Sequence, residues 1–431
     1  MKLLYVVLDG APDGFTAPKT ALKEANKPNI DFLAKNSVCG LAYIVGRGIA
    51  PESDAATLSL LGYDPEKYYT GRGPIEAIGA GINFTGDKQV AIRANFATID
   101  PVTLQIIDRR VGRSLRDDEA RELAKAIDGI MLDNGRAIAY FKHTVGHRGV
   151  LVIQHSTKQL SGWITNTDPA YSRVGLISHA LKTFEKKIRF SQPMKNESSA
   201  KLTARLVNEY TMKAIEILTK HPINQERIEK GTLPANAVLL RDAGHQKPDL
   251  PPISSYTGLD WRSITEMPVE KGIAILAGMH PFEISYYTED KLSILKLEAK
   301  LVLEELVSGD DIAIYVHLKG PDEPGHDGDL EAKIKAIEDI DRHFFAPIIE
   351  DLSSGTLGDT GIIVTADHST PWNLQSHSDD PVPVMIHHHR IDQGYPRFDE
   401  EICSSGSVGI LEKGSEILPK ALEILRKYSH A

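Results

Sequence analysis

The sequence predicts an α/β protein built on a doubly wound, mostly parallel sheet. Its strongest strand candidates are continuous apolar runs, which are typical of strands buried on both faces of a parallel sheet. Helical stretches such as 291–307 and 329–351 lie between them, and this alternation favours the α/β class. The runs are "KLLYVVLDG" (2–10), "DIAIYVHLKGPDEPGH" (311–326), "GIIVTADHS" (361–369) and "VPVMIHHH" (382–389).

Length and composition restrict the organisation and the function class. A chain of 431 residues exceeds one ordinary core, so we expect two domains or one domain with a large insertion. A net charge of -10 argues against nucleic-acid binding, which needs clustered basic residues. Cys39 and Cys403 form no CxxC pair, so we expect free thiols rather than a disulfide framework or a cysteine zinc site. The apolar N-terminal run is short and ends in aspartate, so it does not resemble a secretion signal. Because no apolar stretch approaches the ~20 residues of a membrane span, we expect a cytoplasmic protein without a membrane segment.

Acidic residues and histidines follow three of the predicted strands. Each one alone could serve in a turn, a cap or a packing contact. However, ligands of such sheets bind beyond the carboxyl ends of the strands, so we expect these side chains to converge. Carboxylates with imidazoles suit two divalent cations such as Mn²⁺, Co²⁺ or Zn²⁺, or Mg²⁺ where oxygen ligands dominate. The residues are Asp9 after the first strand, Asp322 and His326 after the second, Asp367 and His368 after the third, and His377 shortly beyond.

The stretch "PESDAATLSLLG" (51–62) places Ser53 where a helix is expected to begin. A serine at that position commonly caps the helix by accepting a backbone N–H. The same place also suits a nucleophile, because helix N-termini stabilise an alkoxide or a phosphate. Two nearby cations would support in-line phosphoryl displacement and would make the hydroxyl easier to deprotonate.

Seven motifs make the chain resemble, nearly end to end, the archaeal-type cofactor-independent phosphoglycerate mutases of the alkaline phosphatase superfamily. Their order along the chain makes the resemblance far more specific than any one of them. The motifs are "VVLDG" (6–10), "ESDAATLSLLGYDP" (52–65), "GRGPIEAIGAG" (71–81), "RANFATID" (93–100), "KGPDEPGHDGD" (319–329), "ADHSTP" (366–371) and "HSDDPVPV" (377–384).

The resemblance implies an isomerase of glycolysis and gluconeogenesis that interconverts 3-phosphoglycerate and 2-phosphoglycerate. It implies that Ser53 takes the phosphoryl group, that the glycerate reorients while bound, and that bisphosphoglycerate is not needed. It also divides the ligands between two metal ions. The implied first site uses Asp9, Ser53, Asp367 and His368, and the implied second site uses Asp322, His326 and His377.

The family interrupts its phosphatase-like domain with an inserted domain, so we expect residues 1–84 plus 261–431 to form the former. Residues 85–260 would form an α/β insert that binds the substrate and acts as a lid. Five arginines lie near strand ends of this insert, and bidentate guanidinium groups suit carboxylate and phosphate. We expect substrate contacts from Arg110, Arg148 and Arg241 rather than from Arg109 and Arg113.

Three further stretches bear on these expectations. The glycines of 71–81 lack the GxGxxG spacing of a dinucleotide loop, so we interpret that stretch as a hinge leading into the insert. Adjacent residues of a strand point to opposite faces, which argues against an independent metal site at His387, His388 and His389. Where the family carries a glycine-rich loop, this chain has "GMHPFEISYYTEDKLSILK" (278–296), and we expect that loop to close differently.

Two other functions remain compatible with the sequence. A metal-dependent phosphatase or phosphodiesterase of the same superfamily would share every metal ligand, and it would differ in the access of water to the phosphoserine. A non-catalytic paralogue would keep the fold and the metals, and the altered loop 278–296 is its only support. A sulfatase is disfavoured because Ser53 is followed by "DAAT" rather than by a C/S-x-P-x-R pattern.

Overall fold

The structure is a computed structural model that describes residues 1–175, 177–181, 183–284 and 290–429. The chain divides into two compact units. The first unit comprises Met1–Tyr69, Leu250–Glu266 and Ile273–Ala431, and the second comprises Thr70–Asp249 and Met267–Gly272.

Strands and helices alternate along most of the chain. The strands are β1 (Lys2–Leu8), β2 (Ser37–Ala42), β3 (Gln89–Ile99), β4 (Ile106–Asp108), β5 (Ile130–Leu132), β6 (Ala137–His143), β7 (Arg148–His155), β8 (Tyr171–Val174), β9 (Ile177–Ala180), β10 (Ala237–Gly244), β11 (Asp260–Thr265), β12 (His280–Glu283), β13 (Ile312–Leu318), β14 (Thr360–Thr365), β15 (Val382–His387) and β16 (Gly409–Leu411). The α-helices are α1 (Ala21–Glu24), α2 (Pro28–Ala34), α3 (Ser53–Leu60), α4 (Pro65–Tyr68), α5 (Arg72–Gly79), α6 (Asp117–Ala126), α7 (Ser198–Lys220), α8 (Pro222–Glu229), α9 (Ser254–Thr257), α10 (Pro268–Leu276), α11 (Lys291–Ser308), α12 (Asp322–Asp327), α13 (Leu330–Ile340), α14 (Ala346–Ser353), α15 (Glu400–Ser404) and α16 (Ile417–Ser429).

The first unit is built on one large mixed sheet in the order β12-β11-β13-β1-β14-β15-β2-β16. Strand β1 pairs in parallel with β13 and β14, and β11 pairs in parallel with β12 and β13. Every residue of Leu3–Leu8 is buried, and the alternate residues Leu4, Val6 and Leu8 share one apolar core with residues of α11 and α13. The α/β fold with a mostly parallel sheet, predicted from the apolar runs, is confirmed.

Strand β15 departs from the parallel pattern, since it runs antiparallel to both β14 and β2. A parallel neighbour needs a crossover connection, which is usually a helix. Residues 366–381, all of which the structure describes, contain no helix, so the chain returns directly beside β14. The end of β15 therefore lies at the opposite edge from the ends of β1, β13 and β14.

The second unit contains an antiparallel sheet in the order β10-β3-β7-β6-β5, with β4 also paired to β3. Helices α6 and α7 cover it, because Leu123, Leu206 and Tyr210 pack into its core. Strands β8 and β9 pair with each other as an antiparallel hairpin.

The observed unit boundaries, at 69/70 and 249/250, differ from those expected at 84/85 and 260/261. Helix α5 packs on β3 and β10, and a Cβ at Gly73 would lie 2.2 Å from the Ala91 carbonyl oxygen, so this helix belongs to the second unit. The stretch before β11 belongs to the first unit, where the Tyr63 hydroxyl donates to the Pro251 carbonyl at 2.7 Å. Among the described residues, no helix is long and apolar enough to cross a membrane.

Candidate active site

Three neighbouring parallel strands, β1, β13 and β14, bring their carboxyl ends to one edge of the first unit's sheet. Asp9 follows β1, Asp322 begins α12 shortly after β13, and Asp367 and His368 follow β14. The Gly10 N–H donates to Asp367 Oδ1 at 3.1 Å, which joins the β1 loop to the β14 loop. The structure thus brings together the strand-end residues that the sequence singled out.

Asp9, Asp367 and His368 form a buried group with converging polar atoms. His368 Nε2 lies 3.5 Å from Asp9 Oδ1 and 3.2 Å from Asp367 Oδ2. All three atoms are buried, and within the described part of the chain none of them makes a well-aligned hydrogen bond, although they lie close to one another. Since unsatisfied buried polar atoms are costly, the group fits a divalent cation bound between them.

A second group surrounds Asp322 Oδ1. The Nε2 atoms of His377 and His326 each lie 3.5 Å from this oxygen, and His368 Nδ1 lies 4.0 Å from it. The rings of His368 and His377 stack with centroids 3.7 Å apart, so the two groups adjoin. His326 is the most open member, with 41% of its side chain exposed.

Hydrogen bonds fix which ring nitrogen of these histidines can bind a cation. His377 Nδ1 lies 2.7 Å from the Pro51 carbonyl oxygen, and His326 Nδ1 lies 3.2 Å from the Gln375 carbonyl oxygen. A carbonyl only accepts, so both Nδ1 atoms carry the hydrogen and donate it. The Nε2 lone pairs therefore face Asp322, as is usual for metal-ligating histidines whose other nitrogen is held by an oxygen.

Local charges set the ionisation of the carboxylates and of His368. Burial would raise the pKa of Asp322, but His377 and His368 outweigh burial and hold that pKa well below its usual range. Burial opposes charge on His368 as well, yet Asp367, Asp322 and Asp9 raise its pKa to about 9. Burial, with help from Asp367 and Asp322, raises the pKa of Asp9 against the opposing effect of Lys319. The site therefore concentrates negative charge, which favours a cation.

Lys319 and His317 also belong to this site, although neither was predicted from the sequence. Lys319 Nζ lies 2.9 Å from Asp9 Oδ2, and His317 Nε2 lies 3.4 Å from Asp367 Oδ2. Both belong to the strand segment already considered, two residues apart, which places them on one face of the strand. That alternation, combined with the neighbouring Asp9, is the signal that could have identified them.

Ser53 is the first residue of α3, while Glu52, with extended backbone, occupies the N-cap position. The helix begins at Ser53 as expected, but the alternative role of Ser53 as its N-cap is not what the structure shows. Ser53 is partly buried, and its carbonyl accepts from the Thr57 hydroxyl at 2.8 Å. The hydrogen bond from His377 Nδ1 to the Pro51 carbonyl holds the segment that precedes α3 next to the histidines around Asp322.

A third set of ligand-type side chains, Asp359, His388 and His389, lies at the opposite edge of the sheet. Strand β15 ends at His387, so the alternation of side chains along a strand does not send His388 and His389 to opposite faces. His388 Nε2 lies 3.0 Å from Asp359 Oδ1, and His389 Nδ1 lies 3.8 Å from the same oxygen. However, the Arg390 N–H donates to His388 Nδ1 at 3.3 Å, which leaves the hydrogen of the neutral ring on Nε2. The Arg390 guanidinium also lies 3.7 Å from the same oxygen. This arrangement favours an ion pair over a metal site.

The second unit contains a cluster of arginines. Arg109 forms a bidentate pair with the buried Asp168 at 2.7 and 3.0 Å, and Arg241 Nη1 lies 3.3 Å from the same carboxylate. The Arg241 guanidinium also lies over the Tyr171 ring, 4.2 Å from its centroid. Arg110 and Arg113 line a cavity of about 420 Å³ together with Lys186.

The predicted arginines all act on the charge of His147, which lies among them in the second unit. Burial, with the positive charges of Arg148, Arg110, Arg241 and Arg93, lowers the pKa of His147 to about 3. Arg93, which was not predicted as a site residue, lies in the same cluster, and its pKa is lowered to about 9 by burial and by Arg241 and Arg72. A basic residue within the mostly apolar strand β3 is the feature of the sequence that could have identified Arg93. Glu76 and Asp168 offset part of this charge by pairing with Arg93, Arg109 and Arg241, and the remaining excess of cations fits an anionic ligand.

The altered loop 278–296 is described only in part, because residues 285–289 lie outside the described residues. On one side of these residues the chain forms β12, and on the other side it begins α11. Asp290 caps α11 by accepting hydrogen bonds from the Leu292 and Ser293 N–H groups. The expectation that this loop closes differently stays a prediction.

Comparison with known proteins agrees with the motifs. The model of the 2,3-bisphosphoglycerate-independent phosphoglycerate mutase family matches residues 34–224. A mutase of that name from Aeropyrum pernix is 51% identical to this chain, and the alignment covers 99% of this chain and 100% of the relative. A second one, from Archaeoglobus fulgidus, is 38% identical, with 99% of this chain and 98% of the relative covered. The solved cofactor-independent phosphoglycerate mutase of Thermoplasma acidophilum is 30% identical, with a TM-score of 0.60 and 99% of each chain covered. The chain belongs to the family of 2,3-bisphosphoglycerate-independent phosphoglycerate mutases.

Proposed function

We propose that this protein interconverts 3-phosphoglycerate and 2-phosphoglycerate without bisphosphoglycerate, through a phosphoserine at Ser53. Family membership supports the reaction. The observation that carries the site assignment is the buried group of Asp9, Asp367 and His368, whose facing atoms lack hydrogen-bond partners among the described residues. The His377 bond to Pro51 connects the segment of Ser53 with the adjoining group around Asp322, whose His377 ring stacks on His368.

The proposed centre holds two divalent cations, one with Asp9, Ser53, Asp367 and His368, the other with Asp322, His326 and His377. When bound, such cations act as Lewis acids that favour the ionised hydroxyl and offset negative charge on a transferring phosphoryl group. Mn²⁺, Co²⁺, Zn²⁺ and Mg²⁺ all suit a mixed set of oxygen and imidazole ligands to different degrees. Lys319 adds a further positive charge beside Asp9.

The reaction we propose proceeds in two displacements at phosphorus. Ser53 Oγ loses its proton and forms a bond to phosphorus while the ester bond to the glycerate oxygen breaks, and the leaving oxygen takes up one proton to become the glycerate hydroxyl. The other glycerate hydroxyl then loses its proton and attacks the phosphoserine, and Ser53 Oγ leaves and takes up a proton, so the cycle neither gains nor loses protons. Between these steps the glycerate must stay bound by its carboxylate, a role we assign to Arg110, Arg148 and Arg241.

The test compares Ser53→Ala with Ser59→Ala, a buried serine of the same helix that donates to the Ile44 carbonyl. We expect Ser53→Ala to fold and to bind metal while losing several orders of magnitude in rate, and Ser59→Ala to retain most of the activity. Both products, 2-phosphoglycerate and inorganic phosphate, are measured in parallel.

Three outcomes would contradict the proposal. A folded Ser53→Ala with near wild-type activity would remove Ser53 from the chemistry. Stoichiometric phosphate release from the wild type without 2-phosphoglycerate would identify a phosphatase. A metal-loaded wild type with no turnover would identify a non-catalytic member of the family.

A further inference from the structure

Thr370 connects the two groups of metal-ligand side chains. It lies in the loop after β14 and is fully buried. Its hydroxyl donates to Asp322 Oδ1 at 2.7 Å, and the same oxygen lies 3.0 Å from His368 Nδ1. One side chain therefore contacts a proposed ligand of each cation.

The chemistry of these three groups determines the direction of both hydrogen bonds. A threonine hydroxyl has one hydrogen, and a carboxylate only accepts, so that hydrogen is used on Asp322. His368 Nδ1 must then carry its own hydrogen and donate it to the Thr370 oxygen. This leaves His368 Nε2 as the coordinating atom, on the side where Asp9 and Asp367 lie.

We propose that Thr370 is a positioning residue that holds His368 with Nε2 toward the first cation and orients Asp322 toward the second. The inference rests on the proposed metal centre and extends it. Outer hydrogen bonds of this type fix the tautomer and ring orientation of metal-bound histidines.

Thr370 is itself held on several sides. Its carbonyl accepts from the buried Lys333 Nζ at 2.8 Å, and its N–H donates to the Pro12 carbonyl at 3.0 Å. Lys333 also donates to Asp13 Oδ1 at 2.6 Å, which ties the loop after β1 to the same point. A Cβ at Gly10 would lie 2.7 Å from the Thr370 hydroxyl oxygen, so the loop after β1 approaches this hydroxyl closely only because residue 10 is glycine.

Two substitutions separate the hydroxyl from the shape of the side chain. Thr370→Val keeps the β-branched shape but can neither donate nor accept, so it leaves a buried carboxylate oxygen and a buried imidazole N–H without this partner. Thr370→Ser keeps the hydroxyl. Thr365→Val is the matched control, because Thr365 is buried on β14 and its hydroxyl donates to the Pro383 carbonyl at 2.9 Å, away from both groups of metal-ligand side chains.

The experiment titrates metal-depleted, full-length wild type and the three variants with Mn²⁺ by isothermal calorimetry, so the readout is independent of activity. We expect Thr370→Val to weaken Mn²⁺ binding roughly 10- to 100-fold. Thr370→Ser and Thr365→Val should stay close to the wild type. Unchanged affinity in Thr370→Val, or an equal loss in Thr365→Val or Thr370→Ser, would overturn the role of Thr370.

If Thr370→Val fails to fold, the wild type still decides the matter. In Zn²⁺-loaded, ¹⁵N-histidine-labelled wild type, we expect NMR to show His368 with a hydrogen on Nδ1 and coordination through Nε2. Coordination through Nδ1 would overturn the inference. A wild type that binds no Mn²⁺ would overturn the metal centre as well, whereas Mn²⁺ binding without mutase activity would overturn only the proposed reaction.

Discussion

Glu400 provides a test of the buried network beneath the candidate site. It is 2% exposed, its Oε1 accepts from the Asp13 N–H at 2.9 Å, and its Oε2 accepts from the Thr20 hydroxyl at 2.9 Å. Burial, together with the negative charge of Asp13, raises the pKa of Glu400 from 4.5 to about 7. The perturbation we choose is Glu400→Gln, which keeps the shape and removes the titration.

The raised pKa determines how stability depends on pH. Between about pH 4.5 and about pH 7 the folded protein keeps a proton on Glu400 that the unfolded chain has released, so stability falls as pH rises. At about 1.4 kcal/mol for each tenfold change in proton affinity, Glu400 contributes about 3 kcal/mol. This contribution is fully present below about pH 4.5 and is lost above about pH 7.

The assay is urea unfolding of the metal-free protein, followed by circular dichroism from about pH 5 to about pH 8. Relative to the wild type, Glu400→Gln should gain up to about 3 kcal/mol of unfolding free energy across this range. The control is Glu401→Gln at the neighbouring, exposed position, where the hydrogen bond with Lys23 lowers the pKa and no such gain is expected. A difference between Glu400→Gln and wild type that does not change with pH would show that Glu400 does not titrate with a raised pKa in the folded protein.

Three further predictions concern the site. Chelation should abolish 2-phosphoglycerate formation in an enolase-coupled assay and Mn²⁺ or Co²⁺ should restore it, whereas full activity of the stripped enzyme would refute the metal centre. His377→Ala removes a lone pair that faces Asp322, so in calorimetry it should lower the affinity for one Mn²⁺ ion roughly 10- to 100-fold more than the affinity for the other. Equal losses of affinity would contradict the division into two sites. Arg241→Ala should raise the KM for 3-phosphoglycerate and the share of free phosphate, whereas Arg116→Ala, exposed and paired with Asp118, should not.

The strands that carry the site could be predicted because β1, β13 and β14 are buried on both faces. Full burial produces the continuous apolar runs that the sequence shows. The direction of β15 could not be predicted from its equally apolar run, since direction depends on the connection rather than on the strand. The unit to which α5 belongs was also missed, because it is decided by contacts with β3 and β10, which no local pattern encodes.

The candidate ligands were identified because a general rule of parallel sheets places strand ends together. Lys319, Arg93 and Thr370 were missed because their roles depend on partners distant in sequence. Lys319 pairs with Asp9 across the β1–β13 register, and Thr370 contacts Asp322 on another loop. The start of the helix that carries Ser53 could be predicted, but its N-cap residue could not. The cap falls on Glu52 because the backbone of Glu52 is extended, and residue type does not encode that difference from Ser53.

The two histidine-rich parts of the first unit show why residue type alone does not define a metal centre. Asp359, His388 and His389 offer the same kinds of side chain as Asp322, His326 and His377, at similar separations. What differs is the partner of Nδ1. A backbone carbonyl at His377 takes the Nδ1 hydrogen and leaves Nε2 free to coordinate, whereas a backbone N–H at His388 uses the Nδ1 lone pair and keeps a hydrogen on Nε2. At the Asp359 group, a cation would have to displace the Nε2 hydrogen of His388 and compete with Arg390. At the Asp322 group, it would meet Nε2 lone pairs that already face it.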